Sequence, residues 1–153
     1  MSTTEQKTIF VGLSGGVDSS VAALRLKQDG YNVVGVFIKV WHPDFLPCSW
    51  EEERIFAMRI CAILGIPFLT YDAEEVYKRD VAQYFIEGYK KGRTPNPDVM
   101  CNKYVKFGAF LDFAKKHNAD GIATGHYARI KKEGDAHRLL RSIDDEKDQS
   151  YFL

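Results

Sequence analysis

The apolar, β-rich run Ile9-Phe10-Val11-Gly12-Leu13 opens directly into Ser14-Gly15-Gly16-Val17-Asp18-Ser19, and this junction constrains the fold more than any other part of the chain. Two adjacent glycines let the backbone turn tightly and approach a ligand with no Cβ in the way. The amphipathic stretch that follows then starts a helix. Its first N–H groups, expected to be those of Asp18, Ser19 and Ser20, point out above the strand with the positive end of the helix dipole behind them. Ser14 and Ser19 add hydroxyl donors. Strand, glycine turn and helix in this order make an anion cradle. It is not the Walker loop, which needs a Lys-Ser/Thr pair where Val17-Asp18 stands. Gly12, Gly15 and Gly16 also miss the dinucleotide-binding spacing. A carboxylate beside a phosphate site is unfavourable alone, so Asp18 suggests a bridging Mg2+ or a helix-capping duty.

The rest of the chain alternates strand and helix signals. Strands are predicted at residues 8–13, 33–40, 68–71 and 121–124. Apolar residues at helical spacing lie between them: Val17, Val21 and Leu24; Phe56, Ile60, Ile63 and Leu64; Tyr77, Val81, Tyr84, Phe85 and Gly88; Phe107, Phe110, Leu111 and Ala114. Gly30, Gly65-Ile66-Pro67 and Asn118 stop three of these helices. Such alternation implies an α/β fold, a doubly wound parallel sheet with helices on both faces. Ligands in such sheets bind outside the carboxyl ends of the strands, where the glycine turn already sits. Residues 41–50 and 89–98, rich in proline, break the pattern as loops, and short alternating segments around Gly134 predict a β-hairpin.

At 153 residues the chain is one domain's worth of sequence, long enough to bury a core. No stretch reaches membrane-spanning length, and residues 1–7 lack the apolar core of a signal peptide. Cys48, Cys61 and Cys101 form no close pair and no zinc spacing, so the simplest expectation is a cytoplasmic protein with free thiols. The net charge is +0, but it is unevenly spread. Residues 78–116 carry nine basic and four acidic side chains, and residues 44–75 carry two basic and seven acidic ones. The basic half is compatible with a nucleic-acid partner.

Residues 94–103, Thr-Pro-Asn-Pro-Asp-Val-Met-Cys-Asn-Lys, are the second informative segment. Its prolines disfavour helix before Asp98, which predicts Asp98 as the N-cap and Cys101 as the third helical residue. A first-turn thiolate is favoured by the dipole, and Lys103 and Lys106 favour it further, so Cys101 is expected to be reactive. Cys61, sharing a face with Ala57 and Leu64, reads as a small buried hydrophobe. Cys48 stays open between loop packing and a secondary role.

Ser14-Gly15-Gly16-Val17-Asp18-Ser19 after a strand is similar to the signature of the PP-loop ATP pyrophosphatases. Four further strings occur in series: Cys48-Ser49-Trp50; Pro95-Asn96-Pro97-Asp98 followed by Cys101-Asn102-Lys103; Thr124-Gly125-His126-Tyr127-Ala128; and residues 147–153, Lys-Asp-Gln-Ser-Tyr-Phe-Leu. With them, essentially the whole chain resembles the tRNA-specific 2-thiouridylases. The resemblance implies ATP held by Gly12, Leu13, Ser14, Gly15, Gly16, Val17, Asp18 and Ser19, with Ile38 and Gly125 against adenine or ribose. It implies attack of the C2 oxygen of the wobble uridine on the α-phosphate, loss of pyrophosphate, and displacement of AMP by persulfide sulfur. Cys101 would pair with a second cysteine further along the chain, one carrying the persulfide and the other completing release as a disulfide forms. Asp98 would be the acid/base group, Asn96 and Pro97 would shape its pocket, and Lys147, Asp148 and Gln149 would reach the anticodon arm of the tRNA. His126 fits a structural or nucleotide-contacting role. A sulfur-relay protein or a cysteine desulfurase would supply the persulfide. Family members continue into a central domain and a C-terminal β-barrel containing the second cysteine. Residues 1–153 correspond to the N-terminal PP-loop catalytic domain, for which nucleotide binding and adenylation are the expectation. Two other readings stay open: a related adenylating enzyme such as a lysidine synthetase or an amide-forming synthetase, and a non-catalytic ATP- or tRNA-binding module.

Overall fold

Four parallel strands, β1 (Thr8–Gly12), β2 (Asn32–Lys39), β3 (Phe68–Asp72) and β4 (Gly121–Ala123), pair in the order β3-β2-β1-β4. The computed structural model describes residues 6–43, 50–144 and 146–153. Cys48 and Ser49 lie outside the described residues. Four helices join the strands: α1 (Val17–Gln28), α2 (Trp50–Leu64), α3 (residues 74–90) and α4 (residues 97–116). The last two are unbroken but change pitch. α3 contains a π-helical stretch at Lys78–Ala82, and α4 contains a longer one at Cys101–Ala109. Strands β5 (Arg129–Glu133) and β6 (Ala136–Leu140) form the expected hairpin, turning at Gly134 with φ +63°.

The sheet is covered on both faces because β1 from Ile9 and β2 from Val33 to Ile38 run without a polar side chain. Val11, Val33 and Phe37 pack with Ala23 of α1 and with Ala57 and Cys61 of α2. The alternate residues Phe10, Val34 and Val36 pack with Phe110 and Ala114 of α4. A Cβ on Gly35 would overlap the Cys61 sulfur and lie 2.7 Å from Leu13 Cδ1, so glycine in mid-strand lets α2 lie against the backbone of β2. The doubly wound α/β expectation holds, as do the helix stops, with Gly30, Gly65 and Asn118 at φ +88°, +59° and +58°.

Three local expectations are corrected. Helix α1 faces the sheet through buried Ser19 and Ala23, while Val17, Val21 and Leu24 are exposed, Val17 at 73%. Small residues let the helix sit close to β1, which three branched side chains would prevent. Likewise α2 is buried through Ala57 and Cys61, and Phe56 and Ile63 face outward. The cap of α4 is Asn96, not Asp98: the Asn96 side chain accepts from the N–H groups of Asp98 and Val99, with Pro97 at the first helical position. That is where proline's fixed φ and missing N–H fit best.

The strand order places the topological switch between β1 and β4. The chain runs outward from β1 through β2 to β3, then returns to the other side of β1. The chain leaves β1 through α1 on one face of the sheet and enters β4 from α4 on the other, and such a switch point opens a crevice at the carboxyl ends of the two strands. No helix among the described residues is long and apolar enough to cross a membrane.

Candidate functional site

A cleft of about 280 Å3 occupies that crevice, lined among others by Gly12, Leu13, Ser14, Asp18, Ser19, Ile38 and Gly125. These are seven of the ten residues expected around a nucleotide. Gly15, Gly16 and Val17 shape the turn without lining the cleft. Gly15 adopts φ +78°, the left-handed conformation that glycine takes without strain. Gly16 is extended, with φ −82° and ψ 166°, and is the N-cap of α1. The first three helical N–H groups, those of Val17, Asp18 and Ser19, lack intrahelical acceptors. Ser20 is not among them, since its N–H and its hydroxyl both donate to the Gly16 carbonyl, at 3.3 and 2.7 Å. The donor set is therefore shifted one residue toward the turn. Ser19, buried, accepts from the Ser14 N–H at 3.3 Å and donates to the Gly16 carbonyl. It fastens the loop, leaving the exposed Ser14 hydroxyl 3.4 Å away beside the cleft.

Gly125 has a packing reason of its own. A Cβ there would stand 2.6 Å from Ser19 N and 2.9 Å from Ser19 Cα. Only glycine lets the loop after β4 lie against the first turn of α1, which brings the two sides of the cleft together. His126 follows it into the lining, its Nδ1 2.8 Å from Thr124 Oγ1. Burial, reinforced by the Lys106 charge, holds its pKa below the usual value, so the imidazole is neutral at neutral pH. Glu53 of α2, Lys106 of α4 and Phe37 of β2 also line the cleft, and sequence reasoning gave none of them this place. Glu53 and Lys106 come from helices far apart in the chain, so no local string announces them.

Cys101 lies next to the cleft and is not part of its lining. It packs against the buried cluster of Ala73, Val81 and Val105, as do Tyr77, Val40 and Ile38, and Ile38 also lines the cleft. With Asn96 as the cap, Cys101 is the fifth helical residue, two residues deeper than expected and past the first turn, and the dipole's help there is small. Burial pushes its thiol pKa up, Lys106 pulls it down and Asp98 pushes it up again, leaving it raised. Lys103 sits over the Tyr104 ring and is not among those influences. The expected low-pKa thiol is thus corrected: desolvation outweighs a single lysine. Tyr77 faces the same group, its hydroxyl pKa raised by burial and then by Cys101 and Asp98. It belongs to this cluster, and only its place in an apolar stripe was legible. Cys61 is buried in the core, with its thiol pushed up to about 11. Both Cys61 and Cys101 are free thiols.

The segment carrying Lys147, Asp148 and Gln149 folds back beside this site. The Asn102 Nδ2 donates to the Phe152 carbonyl at 2.8 Å, tying the segment to α4. Gln149 accepts from the Tyr127 N–H at 2.8 Å and reaches the cleft. Lys147 donates to the Tyr127 hydroxyl at 3.1 Å and is exposed. Asp148 is committed to the chain: it accepts from the N–H groups of Ser150 and Ser142 and from Arg141, and these donors hold its carboxyl at about 2. Among the described residues no group of three or more His, Cys, Asp or Glu is arranged to hold a metal ion.

A family model described as the tRNA methyl transferase HUP domain matches residues 7–153. A tRNA-specific 2-thiouridylase MnmA of Bacillus subtilis (strain 168) is 50% identical over 151 residues, which is 97% of this chain and 41% of that relative. The chain thus spans about two-fifths of the length of the curated relative it matches. Two solved structures share the fold at low identity. A predicted subunit of tRNA methyltransferase from Methanocaldococcus jannaschii superposes with TM-score 0.54 and 22% identity, over 78% of this chain and 53% of that one. The U34-tRNA thiolase NcsA from Methanococcus maripaludis, solved with its 4Fe-4S cluster, superposes with TM-score 0.52 and 17% identity, over 79% of this chain and 39% of that one.

Proposed function

Because the chain belongs to the tRNA methyl transferase HUP domain family, we propose that it is the ATP-binding, base-adenylating domain of a tRNA uridine 2-thiolation enzyme. The observation that carries this reading is the anion cradle at the β1/β4 switch point. Gly15 turns there at φ +78°, and the N–H groups of Val17, Asp18 and Ser19 are open toward a phosphate. The 50% identity to a relative named as a tRNA-specific 2-thiouridylase supports the choice of substrate. ATP lies with its α- and β-phosphates on the turn, and its adenosine lies along Gly12, Ile38 and the loop at Gly125. Mg2+ fits only as the partner of those phosphates. Asp18 lines the cleft, and one carboxylate with phosphate oxygens is the kind of donor set this hard cation accepts.

In this reading the C2 oxygen of the wobble uridine attacks the α-phosphorus, and the bond to the β-phosphate oxygen breaks to release pyrophosphate. The terminal sulfur of a cysteine persulfide then attacks C2, and AMP departs with the former carbonyl oxygen. Cys101 is the cysteine of this domain that takes part, and the exposed Asp98 on the same helix is the acid/base group. The persulfide donor, the anticodon-arm contacts of Lys147 and Gln149, and disulfide formation with a second cysteine belong to the whole enzyme. In this reading the enzyme acts in the cytoplasm, where tRNA is available.

Calorimetry with ATP and Mg2+, followed by a pyrophosphate-release assay with and without tRNA, tests the proposal. It expects nucleotide binding, and release of pyrophosphate that depends on tRNA. Absence of nucleotide binding overturns it. Binding without release, with or without tRNA, favours the binding-module reading.

A further inference from the structure

Lys106 is the one lysine of the cleft lining, and it sits five residues beyond Cys101 in the π-helical stretch of α4. In α-helical geometry a side chain five residues on would point roughly 140° away from Cys101. The wider i→i+5 turn of a π-helix instead brings position i+5 back near the direction of position i. The pitch change thus lets one helix present a thiol and an ammonium to adjoining spaces. No hydrogen bond or ion pair with another described residue satisfies the Lys106 ammonium. The other cationic residues of α4 differ in this respect or in place: Lys103 is stacked on Tyr104, and Lys115 and Lys116 lie on the exposed last turn. A half-buried lysine with no anionic partner among the described residues, at the edge of an anion cradle, is arranged for an anion that arrives from outside.

We propose that Lys106 is shared by the two halves of the reaction, its ammonium meeting the nucleotide's phosphates in the cleft on one side and the Cys101 sulfur on the other. The inference rests on the nucleotide-binding reading of the cleft and adds to it a residue that serves both steps. During adenylation the ammonium offsets charge on the α-phosphoryl oxygens, the kind of preorganised stabilisation that gains strength where water is excluded. In sulfur transfer the same charge faces AMP as it leaves and favours the anionic form of the sulfur. The electrostatics of the site agree with this placement, since Lys106 is what lowers the Cys101 pKa against burial, and it also lowers that of His126.

The test uses Lys106→Gln and Lys106→Arg in the full chain, with α,β-methylene-ATP, AMP and adenosine as probes. Lys106→Gln is expected to weaken both phosphate-bearing probes at least tenfold while leaving adenosine within about twofold. It is also expected to slow iodoacetamide alkylation of Cys101, followed by peptide mass spectrometry, roughly threefold at neutral pH and to move the rate profile to higher pH. Lys106→Arg keeps the charge and should restore most of both effects. A structural role alone would not separate adenosine from AMP. If phosphate probes bind Lys106→Gln as they bind the parent, or if Cys101 alkylates unchanged, the inference is overturned. If the parent chain binds none of the three probes, the failure belongs to the nucleotide reading itself, and the inference falls with it.

Discussion

Gly15 and Gly16 are adjacent but tolerate different changes. Gly15 sits at φ +78°, and a Cβ on it would stand 3.0 Å from Phe56 Cβ and 3.1 Å from the Glu53 carbonyl oxygen. Gly16 is extended, and a Cβ there would meet only the Ser14 hydroxyl oxygen, at 3.4 Å. Gly15→Ala is expected to lower stability by ~1–2 kcal/mol through left-handed strain and contact with α2. Gly16→Ala should cost less than about 0.5 kcal/mol. Urea melts of the two variants decide the matter, and equal midpoints would contradict it. The thiols carry a second residue-scale expectation. Both pKa values are raised, so both thiols are mostly protonated at neutral pH, and labelling should accelerate only as pH climbs into the alkaline range. Cys101, partly exposed beside the cleft, should label ahead of Cys61, which is 2% exposed. Preferential labelling of Cys61 in the folded protein would refute this ordering.

At the scale of elements, the tail and the π-helical stretches carry what periodicity could not show. Apolar spacing located the four parallel strands and four helices, because the central strands β1 and β2 read as nearly continuous apolar runs and helical spacing separates them from the rest. It misjudged the inward face of α1, since that face is built from Ser19 and Ala23, which carry little hydrophobic signal. It also gave no hint that residues 101–109 are wound as a π-helix, because i→i+5 bonding has no compositional mark. The Asn96 cap was legible in principle, since a proline favours the first helical position and so identifies its predecessor as the cap. In the tail, Asp148 joins the turn at Ser150–Phe152 to the end of β6 through Ser142 and Arg141. Its carboxyl titrates at about 2 in the folded chain, below the usual ~3.9. Its contribution is therefore present above the ordinary carboxylate range and is lost as pH falls toward about 2. Asp148→Asn should speed amide exchange at Ser142 and Ser150 near neutral pH while leaving the β1–β2 amides protected. Unchanged exchange at those two residues would mean that the clasp does not hold the tail.

Across the whole molecule, the basic surplus of the sequence gathers on one face, where Asp72, Glu74 and Glu75 at the end of β3 and the start of α3 offset part of it. The basic side chains of residues 78–116 lie on α3, α4 and the loop between them, whereas the acidic first turn of α2, Glu51–Glu53, lies with α1 on the opposite side of the sheet. Sequence composition gave the surplus, and only the crossover directions of a doubly wound sheet could say that it gathers on one side. A groove of about 480 Å3 runs between α3 and α4, lined by Arg79, Lys103, Lys116, Tyr71 and Tyr104 among others. Arg79 is engaged by Asp80 at 2.6 Å, so the lysines are the cations best able to meet a phosphate backbone. On the proposed function, tRNA approaches along this face, with its wobble base directed toward Asp98 and the cleft. Binding by this chain should be dominated by phosphate contacts and should weaken steeply as salt rises. Lys103→Ala combined with Lys116→Ala should reduce the slope of log affinity against log salt by about one to two. It should leave ATP binding intact, because neither lysine lines the nucleotide cleft. Filter-binding titrations of tRNA from 50 to 300 mM salt, on the order of the range over which such slopes are read, provide the measurement. A slope unchanged by the double substitution would remove this groove from the tRNA path, and affinity indifferent to salt would remove the electrostatic account of the whole face.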